Sequence, residues 1–99
     1  MKLQKIFNLK KPVRVFSGNP LWKGESINGL YEWKTNIEYH CIIIHSDNKL
    51  HSYEYDNILA HEYIHAWQCE MGLKLSHGKV FKWWAEKLAK HGYSISKRQ

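Results

Sequence analysis

A chain of 99 residues, 43% of them apolar, is long enough for one small domain with a modest core, so residues 1–99 are read as a single unit. Two cysteines cannot build a disulfide framework, and no run approaches the roughly 20 apolar residues of a membrane span. The lysine-rich start lacks the apolar core of a secretory signal, so a cytoplasmic protein with no membrane partner is expected; a formal net charge of +6 favours an acidic partner such as nucleic acid.

In chain order, Val13-Arg14-Val15-Phe16 is a β-branched and aromatic run that predicts a short strand ending at the turn Ser17-Gly18-Asn19-Pro20, with the residues before it read as extended. Lys23-Gly24-Glu25-Ser26 is turn-prone. The stretch 27–34 then comes to alternate apolar and polar residues as a half-buried strand does, and 37–45, rich in isoleucine, is the strongest strand signal in the chain. Thr35-Asn36 between these two runs fits a hairpin turn.

A helical pattern begins between Ser52 and Asp56, either of which can cap it, and runs to about Met71, where Gly72 stops it. Ala60, Ile64, Trp67 and Met71 recur at helical spacing as a buried stripe. After Leu73-Lys74-Leu75, Ser76 is read as the cap of a second helix from His77 to about Lys90, with Val80, Phe81, Trp84, Ala85 and Leu88 on its apolar face and Gly92 as its stop. The tail from Ser94 reads as frayed and basic. Cys41 and Cys69 are read as free, small buried hydrophobes.

The chemistry lies on the first of these helices. His61-Glu62-Tyr63-Ile64-His65 is an HExxH pattern: residues four apart share one helix face, so both imidazoles can reach one metal ion. Glu62 stands next in the turn, where it can act as general base towards a water at the metal without being a ligand. Catalytic zinc usually takes three protein ligands, so a third donor is required. Cys69 is a poor one, because four residues of helix rise by about 6 Å and carry it past a metal shared by His61 and His65. The longer metzincin signature would need glycine at 68 and histidine at 71, where this chain has Gln68 and Met71. Two candidates remain: Glu86 on the second helix, and His77 at its start, followed by Gly78, which leaves backbone room beside the site.

Leu59-Ala60-His61-Glu62-Tyr63-Ile64-His65-Ala66 followed by Ser76-His77-Gly78-Lys79-Val80-Phe81 resembles the SprT-like family of zinc metalloproteases, whose pattern is HExxHA, a short variable segment, then HGxxF. The resemblance covers about residues 27–91. It implies a zinc ion held by His61, His65 and His77, Glu62 as catalytic base, and Phe81 as a packing residue of the second helix. Family members commonly begin with a helix, which residues 1–17 do not announce. The Spartan-type relatives digest proteins crosslinked to DNA, so the resemblance suggests a DNA-linked protein or peptide as substrate.

The expected fold is α+β, a minimal zincin: a small, mainly antiparallel sheet packed on the HExxH helix, with a second, C-terminal helix delivering the third ligand. The expected function is zinc-dependent peptide hydrolysis; the rival is a zinc-stabilised DNA-binding module without hydrolytic activity. Tyr31 and Tyr93 are candidates to stabilise the oxyanion. His40, His45, His51 and His91 are read as strand or surface residues, and Glu54 and Glu70 as surface acids. Lys79, Lys82, Lys87 and Lys90 are read as the solvated face of the second helix, a set that Lys97 and Arg98 would extend into a phosphate-facing surface; Trp83 is read as a core or rim residue, with stacking on an unpaired base as the alternative.

Overall fold

The computed structural model describes residues 2–33 and 38–96. The chain opens not with an extended segment but with a helix, α1 (Lys2–Phe7), which buries Leu3 and Phe7, four residues apart on one face. A six-residue helix is not stable on its own. This one is held by tertiary contact: the Phe7 ring stacks on Trp84 at 4.2 Å and tilts against Tyr63 at 5.6 Å. Asn8, with φ 51°, ends it in the left-handed conformation that asparagine tolerates.

Three strands follow in one sheet, β1 (Val13–Gly18), β4 (Gly29–Glu32) and β5 (His40–His45), in the spatial order β1-β5-β4. The two runs read from the sequence as neighbours do pair antiparallel, Gly29 opposite Ile44 and Glu32 opposite Cys41. Their connecting turn at Thr35-Asn36 lies outside the described residues. The sheet is mixed, however, because the longer pairing, β1 with β5 from Val13–His40 to Gly18–His45, is parallel. Between β1 and β4 a small hairpin joins β2 (Leu21–Trp22) to β3 (Glu25–Ser26). Its two-residue turn, Lys23-Gly24, has positive φ at both positions (52° and 82°), the requirement of a type I′ turn.

Strand β5 alternates buried and half-buried residues, and His40, Ile42 and Ile44 are its buried set. The sheet packs on α2 (Tyr53–Glu70), which Ser52 caps by accepting the Tyr55 amide at 3.1 Å, with Glu54 and Asp56 favourably placed in the first turn. Gly72, at φ 73°, ends the helix in a Schellman motif: its amide bonds the Cys69 carbonyl, and that of Leu73 bonds Gln68 at 2.8 Å. Every residue of α2 from Asn57 to Ala66 is buried, so it is a central helix covered on all sides and not one with a single stripe. Met71, expected in that stripe, is 46% exposed.

The last helix, α3 (Lys79–Ala89), buries Phe81, Trp84 and Leu88. It starts two residues later than the sequence suggests. Gly78 is its N-cap without a side-chain bond, and Ser76 accepts the Gly78 amide from outside the helix at 3.5 Å. Gly92, at φ 93°, closes the far end. The described part of the tail, 94–96, is tied down rather than frayed, since the Ser94 amide donates to Asn57 Oδ1 at 2.9 Å and Ile95 packs on the core; residues 97–99 lie outside the described residues. Cys41 and Cys69 are free and half-buried. Among the described residues no helix is long and apolar enough to cross a membrane.

Candidate metal centre

His61 and His65 stand one turn apart on α2, and the loop leading into α3 brings His77 against both. Its Nε2 lies 3.2 Å from Nε2 of His61 and 3.2 Å from Nε2 of His65. Four donors at the 2.0–2.1 Å of a zinc–imidazole bond, arranged tetrahedrally, would be separated by about 3.3 Å. Both separations from His77 match that spacing, and the three ligand atoms all lie within 4.8 Å of one another, close enough to share one metal ion. Phe81 backs all three rings, with centroids 4.8, 5.6 and 4.7 Å from those of His61, His65 and His77.

The far nitrogens decide which atoms can bind. Nδ1 of His61 donates to the Ser96 carbonyl at 2.7 Å, and Nδ1 of His65 donates to Gln68 Oε1 at 2.9 Å. An acceptor on Nδ1 keeps the proton there and leaves the Nε2 lone pair to face the centre, as metal-binding imidazoles require. Burial lowers the pKa of His65, and proximity to His77 acts in the same direction against the Gln68 bond, so the ring is kept neutral. These are the only three residues among those described whose ligand atoms group as a metal site. Glu86, exposed on α3, and Cys69, half-buried on α2, both lie outside the group.

Glu62 lies at the edge of the cluster, its Oε2 3.8 Å from Nε2 of His61, and is 3% exposed. Burial pushes its carboxyl up to about 8, and the bond it accepts from the Tyr31 amide opposes that rise. The amide reaches it because β4 passes directly against α2 at Gly29.

All four residues open onto one cleft of about 1400 Å³, with Trp22, Trp33 and Leu73 among its apolar walls. Here a model of the SprT-like family matches residues 10–99. The chain belongs to the SprT-like family. No curated protein and no solved structure matches it. The family is generally linked to zinc metallopeptidase-like proteins; α1 lies before the matched residues of this SprT-like chain.

Of the two tyrosines considered for the oxyanion, Tyr31 borders the cleft, whereas the half-buried Tyr93 is not among its lining residues and sits under the Lys2 ammonium at 5.6 Å. The Tyr31 hydroxyl meets Nδ1 of His40 at 2.8 Å, and Nε2 of His40 bonds Glu70 at 2.9 Å. His40 is the strand residue it was read to be, but a buried one, and Glu70 departs from its reading. His40 is 1% exposed, and Glu70 is no surface acid, since it also accepts the amides of Lys10 and Lys11 at 2.8 and 2.9 Å. His45 is half-buried at the cleft. Gln68, Ser96, His40 and Glu70 were all missed as supports of the site; only Gln68, three residues beyond His65 on one helix face, carried a local signal.

Lys79, Lys82, Lys87 and Lys90 are exposed. The Lys87 ammonium lies 5.1 Å from the rings of both Trp83 and Trp84, a cation–π arrangement. Lys97 and Arg98 lie outside the described residues.

Proposed function

We propose that this SprT-like protein is a zinc-dependent metallopeptidase, with His61, His65 and His77 as the zinc ligands and Glu62 as the catalytic base. The observation that carries the reading is the convergence of three Nε2 atoms beside a buried carboxylate at an open cleft. When bound, zinc supplies Lewis acidity to a water and to a peptide carbonyl at this position. The chain supplies the rest. Glu62, held by the Tyr31 amide, accepts the proton of the attacking water and returns it to the departing amine. Ser96 and Gln68 hold the rings of His61 and His65 so that their Nε2 atoms stay unprotonated. The apolar walls of the cleft exclude water around an extended polypeptide and hold its side chains.

The test is Glu62→Gln. Peptide hydrolysis falls by about a hundred- to ten-thousand-fold, the usual contribution of a general base, while one zinc per chain is retained. Undiminished hydrolysis in the variant overturns the mechanism.

A DNA-associated protein is the substrate class we favour, supported by the net charge of +6 and the exposed lysines of α3. The same features support the rival, a zinc-stabilised DNA-binding module. There Glu62→Gln would alter nothing measurable, whereas His77→Ala would unfold the domain.

A further inference from the structure

We infer that Gln68 is a positioning residue that ties the second and third histidines of the cluster to one another, so that one carboxamide sets both the ring of His65 and the loop carrying His77. The inference rests on the reading of the three histidines as a zinc site. It begins from burial: Gln68 is 1% exposed, and an amide taken out of water is costly unless its polar atoms are bonded.

Its partners are not scattered. Oε1 accepts from Nδ1 of His65 at 2.9 Å and from the Ser76 amide at 3.3 Å, while Nε2 donates to the Ser76 carbonyl at 3.1 Å. The side chain thus bonds both the amide and the carbonyl of Ser76, and Ser76 is the residue immediately before His77. The amide orientation is fixed by the same bonds, since exchanging O and N would oppose two donors at the Ser76 amide and two acceptors at its carbonyl. With the oxygen towards His65, the proton of that ring stays on Nδ1 and Nε2 is free to bind.

The main chain of Gln68 contributes as well. Its carbonyl accepts the Leu73 amide at 2.8 Å in the turn that leaves α2. The segment 69–75 is therefore gripped at both ends by one residue, by its backbone where the chain leaves the helix and by its side chain where it returns with His77. A packing role alone would ask only for volume. A glutamine whose oxygen is shared between an imidazole and a loop amide asks for those two to be placed together.

The experiment is a double-mutant cycle on metal affinity. Zinc is competed from wild type, Gln68→Leu, His77→Ala and the double variant with a chromophoric chelator, and the cobalt-substituted absorption spectrum reports coordination geometry. Thermal unfolding of each metal-free protein reports stability separately. Gln68→Leu is expected to lower zinc affinity by about 10- to 100-fold, as loss of a ligand-orienting bond does, and to change the cobalt spectrum. Its effect is expected to be smaller in the His77→Ala background, where the loop half of the clamp has nothing left to place.

Gln68→Glu, nearly the same shape, keeps the acceptor for His65 and loses the donor to Ser76, so it should fall between wild type and Gln68→Leu; it carries the test if Gln68→Leu does not fold. Wild-type affinity in both variants, or a Gln68→Leu effect of equal size with and without His77, overturns the inference and leaves the zinc site standing. A wild-type protein that takes up neither zinc nor cobalt overturns the zinc reading itself, and the inference with it.

Discussion

Gly29 of β4 lies against Glu62 of α2 so closely that a methyl group on it would stand 3.2 Å from Oε2 of Glu62 and 2.5 Å from Cγ2 of Ile58. The hydrogen of glycine is what lets the strand approach, and that approach brings the Tyr31 amide, two residues along, to the carboxylate. Gly29→Ala must push the strand from the helix. Overpacking of this kind costs about 1–3 kcal/mol, and each kcal/mol lowers the Tm of a domain of this size by roughly 4–8 °C. Hydrolysis should fall with it while zinc content stays at one per chain, because the atoms nearest the added methyl group belong to Ile58 and Glu62 and not to the three histidines. Calorimetry beside metal analysis checks both; a variant with unchanged Tm and activity would mean that β4 yields without disturbing Glu62.

The choice between His77 and Glu86 is decided by metal content. His77 supplies the donor 3.2 Å from each of the other two, and Glu86 is exposed on α3. Zinc should be bound far more weakly in His77→Ala, so that less than one ion per chain survives purification, and retained in Glu86→Ala, measured by mass spectrometry of the purified proteins. Retention in the first and loss in the second would move the site to a His-His-Glu ligand set.

What could be read from the sequence was what is local. The spacing of His61 and His65, a helix start between Ser52 and Asp56 and the stop at Gly72 each depend on residues within a turn or two, and the structure takes Ser52, the first of the two cap candidates. The β-branched runs of β1 and β5 announced strands but not partners, since nothing in Val13–Phe16 says that it will lie parallel to a strand nearly thirty residues away. Helix α1 was hidden for a related reason: its stability comes from Phe7 stacking on Trp84, at the opposite end of the chain. The supports of the site were least legible. Ser96 and Glu70 reach their histidines across 35 and 30 residues, and an isolated glutamate or serine carries no sign of such a bond.

The tail gives a third prediction. The Ser96 carbonyl is the acceptor that keeps the His61 proton on Nδ1. Deleting residues 94–99 removes it together with the Ser94 bond to Asn57 and the packing of Ile95. Zinc affinity should fall by about 10- to 100-fold, as for other losses of an orienting partner, with most of the fold intact because Phe81, Trp84 and Leu88 lie upstream of the cut. Chelator competition beside circular dichroism separates the two effects. Unaltered zinc affinity in a folded truncation would show that the tail does not orient His61.

Glu70 gives a stability that depends on pH in a definite direction. Burial alone would raise its pKa, but the Lys10 and Lys11 amides and the bond to His40 outweigh burial and hold the carboxyl below its ordinary value of 4.5. The folded state therefore prefers the ionised form. Its contribution is complete above the unfolded value of 4.5 and is lost as pH falls through the lower folded value. Glu70→Gln keeps the shape and removes the charge; it should cost about 1.5–3 kcal/mol near neutral pH, the scale of hydrogen bonds to a charged group. The gap to wild type should close as both are acidified well below the carboxylate range, because the wild-type carboxyl then becomes neutral too. Urea unfolding of the two proteins across that range measures the gap, and a difference that stays constant or widens on acidification would mean that the ionised carboxylate is not what joins α2 to the chain before β1.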